Sequence, residues 1–263
     1  MRRRLSIGSV YIAAAICAAG VIRIYATAEA EGPQQAPASS QSAASTHLYH
    51  LTAFRAALGR TAELRKLLST PSSPNPLNPD FAVVFRHREG HEWDFLLVEH
   101  IGEKLNVDLS AAPPPQPDTP LSQLAAWHGD TLAAGPPLDD FRRVLNLQAT
   151  AGQGGVKAVY IISDYMAAPG HRGKLRSTLD QIASQTPGRS VTLTHVEGAP
   201  WTFLTITRYD SWQQFAKEQE SEDAEEAKDP SAPGMALSLR EHMTMHHDTL
   251  VTVAAVHGPS AAR

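Results

Sequence analysis

The sequence has one cysteine, Cys17, among its 263 residues. Cys17 lies in an apolar N-terminal segment, so the rest of the chain has no thiol, no disulfide and no cysteine-ligated metal. An excess of basic residues is also lacking, since 23 Lys and Arg are set against 27 Asp and Glu and are scattered along the chain. This balance argues against nucleic acid as a partner. Because disulfides and cysteine-bound metals are excluded, the folded protein must be stabilised by its hydrophobic core.

The N terminus has the pattern of an export signal. Arginines at positions 2–4 precede an alanine-rich apolar run, Leu5 to Ile22, and small residues suited to cleavage follow at positions 26–30. We expect residues 1–30 to be a signal peptide, which makes the mature protein periplasmic or extracellular, with no stable membrane insertion. The alternative is an uncleaved anchor, because the apolar run is close to the shortest that spans a bilayer.

Three blocks of sequence occur twice, in the same order and at nearly equal spacing. His87 to Leu96 and His195 to Leu204 share the pattern His-x-Glu-Gly-x-x-Trp-x-Phe-Leu. An earlier block around Tyr49 matches one around Tyr160, and a later pair shares His-x-Asp-Thr-Leu. This pattern predicts a tandem duplication. The predicted segments are a disordered tether at 31–46, a first repeat at 47–147, a Gly-rich linker at 148–156, a second repeat at 157–257 and a flexible tail at 258–263.

Each repeat has the pattern β-α-β-β-α-β. Segments rich in aromatic and β-branched residues, His47 to Phe54 and Ala158 to Tyr165, are of strand length. Leucines at three- and four-residue steps then indicate a helix, and the Glu-Gly pair indicates a hairpin turn. The order predicts an α+β fold of two ferredoxin-like units.

The last elements of each repeat are harder to place. We expect a helix from Leu121 to His128 in the first repeat and a helical piece that ends at His246 in the second. The closing strand is expected at Thr249 to Val256 in the second repeat. In the first repeat Gly135-Pro136-Pro137 interrupts the pattern, so we expect that strand later, at Phe141 to Leu147.

Two such units in one chain, with Tyr-Asp-Ser-Trp-x-x-Phe at Tyr209 to Phe215, resemble the dimeric α/β-barrel superfamily. The resemblance implies that the two sheets lie face to face and form an intrachain pseudo-dimer. Members of the superfamily include cofactor-free monooxygenases of polycyclic phenols, haem-degrading enzymes and chlorite-dismutase-like haem proteins. No catalytic set from these families matches this chain residue by residue.

Candidate chemistry lies in the repeated histidines, acids and tryptophans. Imidazole beside carboxylate can act as a base with an orienting partner, or bind a divalent metal. His242 and His246, if they share one helical face, form the alternative site for a metal or haem. Turn formation, core packing and capping are structural explanations of the same residues. The predicted site residues are His246, Asp248 and His195 as catalytic groups, and Trp201, Tyr160, His247 and Trp93 as ligand contacts.

Differences between the repeats are more informative than their matches. His247 stands where the first repeat has Gly129, and Asp164 stands where it has Ala53. In the first repeat, His50 stands where the second repeat has Ile161. The expected pockets of the two repeats therefore cannot be chemically equal, and if only one repeat is active, we predict that it is the C-terminal one.

We expect an exported protein that binds a small apolar or aromatic molecule in a cavity of the C-terminal repeat, as a cofactor-independent, oxygenase-like enzyme. No cofactor is predicted. The alternatives are a metal- or haem-binding protein that uses the C-terminal histidines, and a non-catalytic envelope protein that binds a partner. Whether the chain is an enzyme, and whether it forms an oligomer, stay open at this point.

Overall fold

The computed structural model describes residues 46–70, 81–104, 120–147, 158–185, 187–228 and 235–258. In the N-terminal half (residues 46–147) the elements are β1 His47–Ala56, α1 Thr61–Leu68, β2 Phe81–Glu89, β3 Phe95–Glu103, α2 Pro120–Leu124, β4 Ala125–Gly135 and α3 Leu138–Val144. In the C-terminal half (residues 158–258) they are β5 Val159–Ala167, α4 Arg172–Gln185, β6 Ser190–Glu197, β7 Phe203–Tyr209, α5 Trp212–Lys228, α6 Met235–Arg240 and β8 Met243–His257.

The strands form one closed antiparallel barrel in the order β1-β3-β2-β8-β5-β7-β6-β4. Each half supplies four neighbouring strands of this barrel. The halves meet at two seams, where β2 pairs with β8 and β4 pairs with β6. Because both seams are made of backbone hydrogen bonds, neither half leaves a sheet edge unpaired.

Side chains along each strand alternate between the barrel interior and an outer face covered by helices. Tyr49, Leu51 and Phe85 belong to the interior cluster, to which both halves contribute. On the outer face, Leu64 of α1 packs in one cluster and Leu175 of α4 in another. The barrel interior is therefore shared, while each half has its own layer beneath its helices.

Helix α3 and the residues after it close one end of the barrel. The Tyr49 hydroxyl donates to the Pro136 carbonyl oxygen at 2.7 Å, and its ring stacks on Phe141 with centroids 4.9 Å apart. From the other half, the Tyr160 hydroxyl donates to the Leu145 carbonyl oxygen at 2.9 Å. Burial of Phe141 and Leu145 among interior side chains makes this end solid.

The predicted closing strand at Phe141 to Leu147 is wrong, because that segment contains α3. The closing strand is β4, which begins directly after α2 ends at Leu124, so the helix predicted to reach His128 is also too long. Leu138, Phe141 and Leu145 have helical spacing, and Pro137 is suited to a helix start. The Gly-Pro-Pro segment ends β4 and starts the turn into this helix.

The helix predicted to end at His246 is wrong as well. Helix α6 ends at Arg240, and His246 lies in β8. His242 lies in the turn before β8 and His246 lies within the strand, so the two residues do not share a helical face. Met and His occur in both helices and strands, but the alternation of side-chain types that continues from Met245 is typical of a strand.

Several predicted segments fall outside the described residues: the signal peptide at 1–30, the tether up to residue 45, the linker at 148–156 and the tail beyond 258. Within the described ranges, no helix combines the length and apolar character needed to span a membrane.

Candidate functional site

A cavity of about 440 Å³ lies at the barrel end opposite α3. Leu51 and Leu96 from the N-terminal half and Ile162 and Leu204 from the C-terminal half line it. Its size is within the range of sites that hold small organic molecules. We expected the cavity within the C-terminal repeat, but the structure places it between the two halves.

The strand period explains which side chains reach the cavity. Trp127, Gly129 and Thr131 face it from β4, and Met245, His247 and Thr249 face it from β8, each at every second position. Trp93 and Trp201 follow the two hairpin tips and complete the walls; each is 7% exposed. The cavity is therefore apolar and aromatic over most of its surface.

One corner of the cavity is polar. His247 Nδ1 lies 3.4 Å from Asp164 Oδ2, and the His91 ring packs edge-on against the His247 ring with centroids 5.5 Å apart. The Asp164 side chain is 13% exposed and that of His247 51%. The possible ligand atoms of these three residues all lie within 4.8 Å of one another. This group is called the polar corner below.

The opposite wall has none of these groups. At the positions equivalent to His91, Asp164 and His247, the chain has Ala199, Ala53 and Gly129, which also line the cavity. The Trp127 ring covers Gly129 so closely that an added Cβ would lie 2.8 Å from its Cζ2 atom. This side of the cavity, which has no imidazole or carboxylate at the three equivalent positions, is called the bare wall below.

The repeated Glu-Gly and Asp-Thr motifs contact each other across the two seams. Gly90 has φ of 117° and Gly198 has φ of 110°. A Cβ at Gly90 would lie 2.3 Å from the Asp248 carbonyl oxygen, and one at Gly198 would lie 2.2 Å from the Asp130 carbonyl oxygen. Each hairpin tip thus packs on the last strand of the other half, which sets the positions of the cavity residues that follow it.

The predicted catalytic pair His246 and Asp248 lies on the outer face of the barrel. Asp248 Oδ1 accepts hydrogen bonds from the Ser163 hydroxyl at 2.6 Å and from His246 Nε2 at 2.9 Å. His246 also stacks on Tyr165, with centroids 4.7 Å apart. These contacts hold β5 against β8, and neither His246 nor Asp248 lines the cavity.

His195, the third predicted catalytic residue, packs against Trp201 with ring centroids 5.4 Å apart. Burial, reinforced by the charge of Arg172, lowers the pKa of His195 below its ordinary value, against the opposing effect of a hydrogen bond that the ring donates to the Glu197 backbone. Its Nε2 atom is buried and has no hydrogen-bond partner in the described part of the chain. His195 is therefore a neutral ring supporting Trp201 at neutral pH.

Two other predicted residues lie away from the cavity. Tyr160 is fully buried in the core, and burial raises its pKa to about 12. His242 Nδ1 lies 3.0 Å from His171 Nδ1, outside the cavity lining. Of the predicted ligand contacts, Trp93, Trp201 and His247 do line the cavity.

Sequence reasoning missed His91 and did not include Asp164 among the site residues. Both could have been found by aligning the repeated sequence blocks, because His91 and Asp164 each align with an alanine in the other half. The alternation Met245, His247, Thr249 would also have placed His247 inside the barrel, had that segment not been taken as helix.

His50 carries a second cluster of charge on the outer face. Its Nδ1 lies 3.1 Å from Glu99 Oε2, and its Nε2 lies 3.1 Å from Asp130 Oδ1. Burial alone would lower the pKa of His50, but the hydrogen bonds and charges of Asp130 and Glu99 outweigh it and raise the pKa to about 9. His50 is thus a partly buried cation at neutral pH, where the C-terminal half has Ile161.

No protein-family model matches the chain, and a search of curated proteins finds no match. Solved structures do match. A "putative monooxygenase" from Lactobacillus acidophilus NCFM has a TM-score of 0.50 and 11% identity, covering 81% of this chain and 96% of its own. An "anthrone oxidase-like protein" has a TM-score of 0.52 and 11% identity, covering 82% and 97%. A "putative monooxygenase" from Fusobacterium nucleatum has a TM-score of 0.52 and 7% identity, covering 84% and 97%.

These likenesses concern the fold. The chain has an α+β fold built on a large antiparallel sheet of eight strands, which is an α/β-barrel-like fold shared with these structures. Fold alone does not assign an activity, so the activity has to be argued from the cavity.

Proposed function

We propose that the chain binds a planar, largely apolar molecule in the cavity and acts on it as an oxygenase-like enzyme without an organic cofactor. The observation that carries this proposal is an apolar cavity walled by Trp93, Trp127 and Trp201, with one polar corner. Such a site buries a flat ring system and orients it by a single polar group. Two of the similar structures are named a "putative monooxygenase" and an "anthrone oxidase-like protein", and these names describe the same class of activity.

His247 is the best-placed base in this proposal. Its imidazole faces the cavity, and the Asp164 carboxylate beside it would stabilise the imidazolium formed when His247 accepts a proton. The proton would come from an acidic O–H or C–H of the bound molecule. The resulting electron-rich anion would then form a bond to dioxygen, which is the oxidant, and the peroxide anion so formed would take back the proton from His247.

Calorimetric titration with planar aromatic and quinone-like compounds tests the binding step. We expect at least one compound to bind, and Trp201→Ala to weaken its affinity by about tenfold or more, because a buried aromatic wall is lost. Trp212→Ala is the matched control, since Trp212 lies on α5, is 48% exposed and is not part of the cavity. Equal affinities in the wild type and both variants would contradict the proposed site.

Oxygen uptake tests the reaction. A bound compound with an acidic proton should consume dioxygen without added flavin, haem or nicotinamide, and His247→Ala should slow this by about 100-fold, as expected for loss of a general base. His246→Ala is the control, because His246 lies on the outer face. Binding without any oxygen uptake would reduce the proposal to a binding protein.

We also propose that the two halves are copies of one ancestral unit. The proposal is supported by the repeated sequence blocks and by the equivalent contacts of Gly90 and Gly198. In the same way, the arginines and apolar run at the N terminus support export of the chain. Mass spectrometry of the protein recovered from its native cell, with the N terminus beginning near residue 31, would test the export proposal.

A further inference from the structure

We propose that His91, Asp164 and His247 bind one divalent transition-metal ion at the polar corner of the cavity. This inference goes beyond the proposed function and does not depend on it, because a metal ion can bind when no organic molecule is present. With the ion bound, His247 is a ligand and does not act as the base, so the two roles of His247 belong to the metal-bound and the metal-free protein. It also differs from the metal site expected from sequence, which used His242 and His246.

The donor set is chemically suited to such an ion. Two imidazoles and one carboxylate provide nitrogen and oxygen ligands that Zn²⁺, Fe²⁺, Co²⁺ and Ni²⁺ accept, whereas Ca²⁺ and Mg²⁺ prefer oxygen ligands alone. Three protein ligands leave coordination positions open. Because these residues line the cavity, the open positions would face the space proposed for the organic molecule.

The spacing of the three side chains is close to what a metal ion needs. Ligand atoms bound at about 2.1 Å from one ion lie roughly 3 to 3.5 Å apart. His247 Nδ1 and Asp164 Oδ2, separated by 3.4 Å, already fit this spacing. The possible ligand atoms of all three residues lie within 4.8 Å of one another. Side-chain rotations that shift these atoms by about 1 Å would bring all three to bonding distance from one ion.

His91 is the ligand that has to change most. The Glu92 backbone N–H donates to His91 Nδ1 at 3.0 Å, so the free ring carries its proton on Nε2 when neutral. Binding a metal through Nε2 would move that proton to Nδ1 and release the Glu92 N–H. Metal binding should therefore alter the tip of the hairpin between β2 and β3.

The lack of the three metal ligands on the bare wall indicates that the cavity has one metal site. Ala199, Ala53 and Gly129 replace all three ligands on the other side of the cavity, so no equivalent site exists there. Packing alone does not account for the difference, since the hairpin tips dock in the same way in both halves. One ion per chain is the expected stoichiometry.

Titration of the untagged, metal-stripped chain with Co²⁺ or Zn²⁺ tests the site. Calorimetry should give one equivalent of tight binding, and the visible spectrum of bound Co²⁺ should report nitrogen and oxygen ligands. Asp164→Asn and His247→Ala should each weaken binding by at least tenfold, with cooperative unfolding preserved. Backbone amide NMR should show metal-dependent shifts at His91 and Glu92.

His242→Ala and His246→Ala are the matched controls, and both should bind the ion as the wild type does. The proposal is overturned if no binding occurs, or if His242→Ala abolishes binding while His247→Ala retains it, which would place the ion at the His171–His242 pair. This titration uses no organic molecule, and the aromatic titration is to be run with a chelator present, so the metal site and the proposed function can fail separately.

Discussion

The two walls of the cavity use the same backbone and carry different chemistry. Both walls are built from a first strand, a hairpin tip and a last strand, and Gly90 and Gly198 fix the two tips through equivalent contacts. The polar corner exists on one wall only, since alanine and glycine occupy the opposite positions. The repeated residues therefore form the scaffold and much of the apolar lining, and the unmatched residues inside the barrel form the polar corner.

The largest effect expected from this comparison is on stability. Gly90→Ala and Gly198→Ala should each lower the free energy of unfolding by about 3 kcal/mol, because each combines a positive φ with a Cβ forced against a carbonyl oxygen. Gly170→Ala, with φ of 79° and nothing within 4 Å, should cost only about 1 kcal/mol. Urea unfolding measures all three. A large cost at only one hairpin would break the equivalence of the two scaffolds.

The pH dependence of stability should separate the outer faces of the halves. The folded pKa of His50 is about 9, above its ordinary value of 6.5, so its stabilisation is complete below pH 6.5 and is lost as the pH rises through 9. The loss should be on the order of 2 kcal/mol. His50→Gln retains a hydrogen-bonding side chain but does not titrate, so its unfolding free energy should lack this slope. A slope unchanged in His50→Gln would show that other groups cause it.

Exchanging one residue between the walls should change ligand affinity moderately. Asp164→Ala removes a partner of His247 and should weaken binding of a phenolic compound by about tenfold, or 1.4 kcal/mol. Binding of the corresponding methyl ether, which has no acidic proton, should change less. Ala53→Asp is the reciprocal variant on the bare wall and should not restore the loss when combined with Asp164→Ala. Full restoration would mean that the walls are interchangeable.

The smallest effect concerns the outer-face histidine. His246→Ala should lower the free energy of unfolding by about 1 kcal/mol, through loss of its bond to Asp248 and its stacking on Tyr165. Ligand affinity should stay within a factor of two, because His246 does not line the cavity. A strong loss of ligand binding at unchanged stability would show that His246 takes part in the site.

Much of the scaffold could be predicted from sequence because it is repeated. The Glu-Gly hairpins, the first strands and the two cavity tryptophans all follow from blocks that occur twice. The closing elements were mispredicted because helix and strand signals compete in short segments such as the one from Phe141 to Leu147. Alignment of the repeated blocks singles out His91 and Asp164, but it does not show that they lie near each other, because their proximity arises from packing between the halves.

One consequence follows from the two seams. Because a single polypeptide provides both walls, a point mutation alters one wall and leaves its counterpart as it was. In an assembly of two identical subunits, the same mutation would appear on both walls. Such an assembly could not have the polar corner on one wall and the bare wall opposite it. Covalent continuity is thus what permits an oriented binding site inside a nearly symmetric barrel.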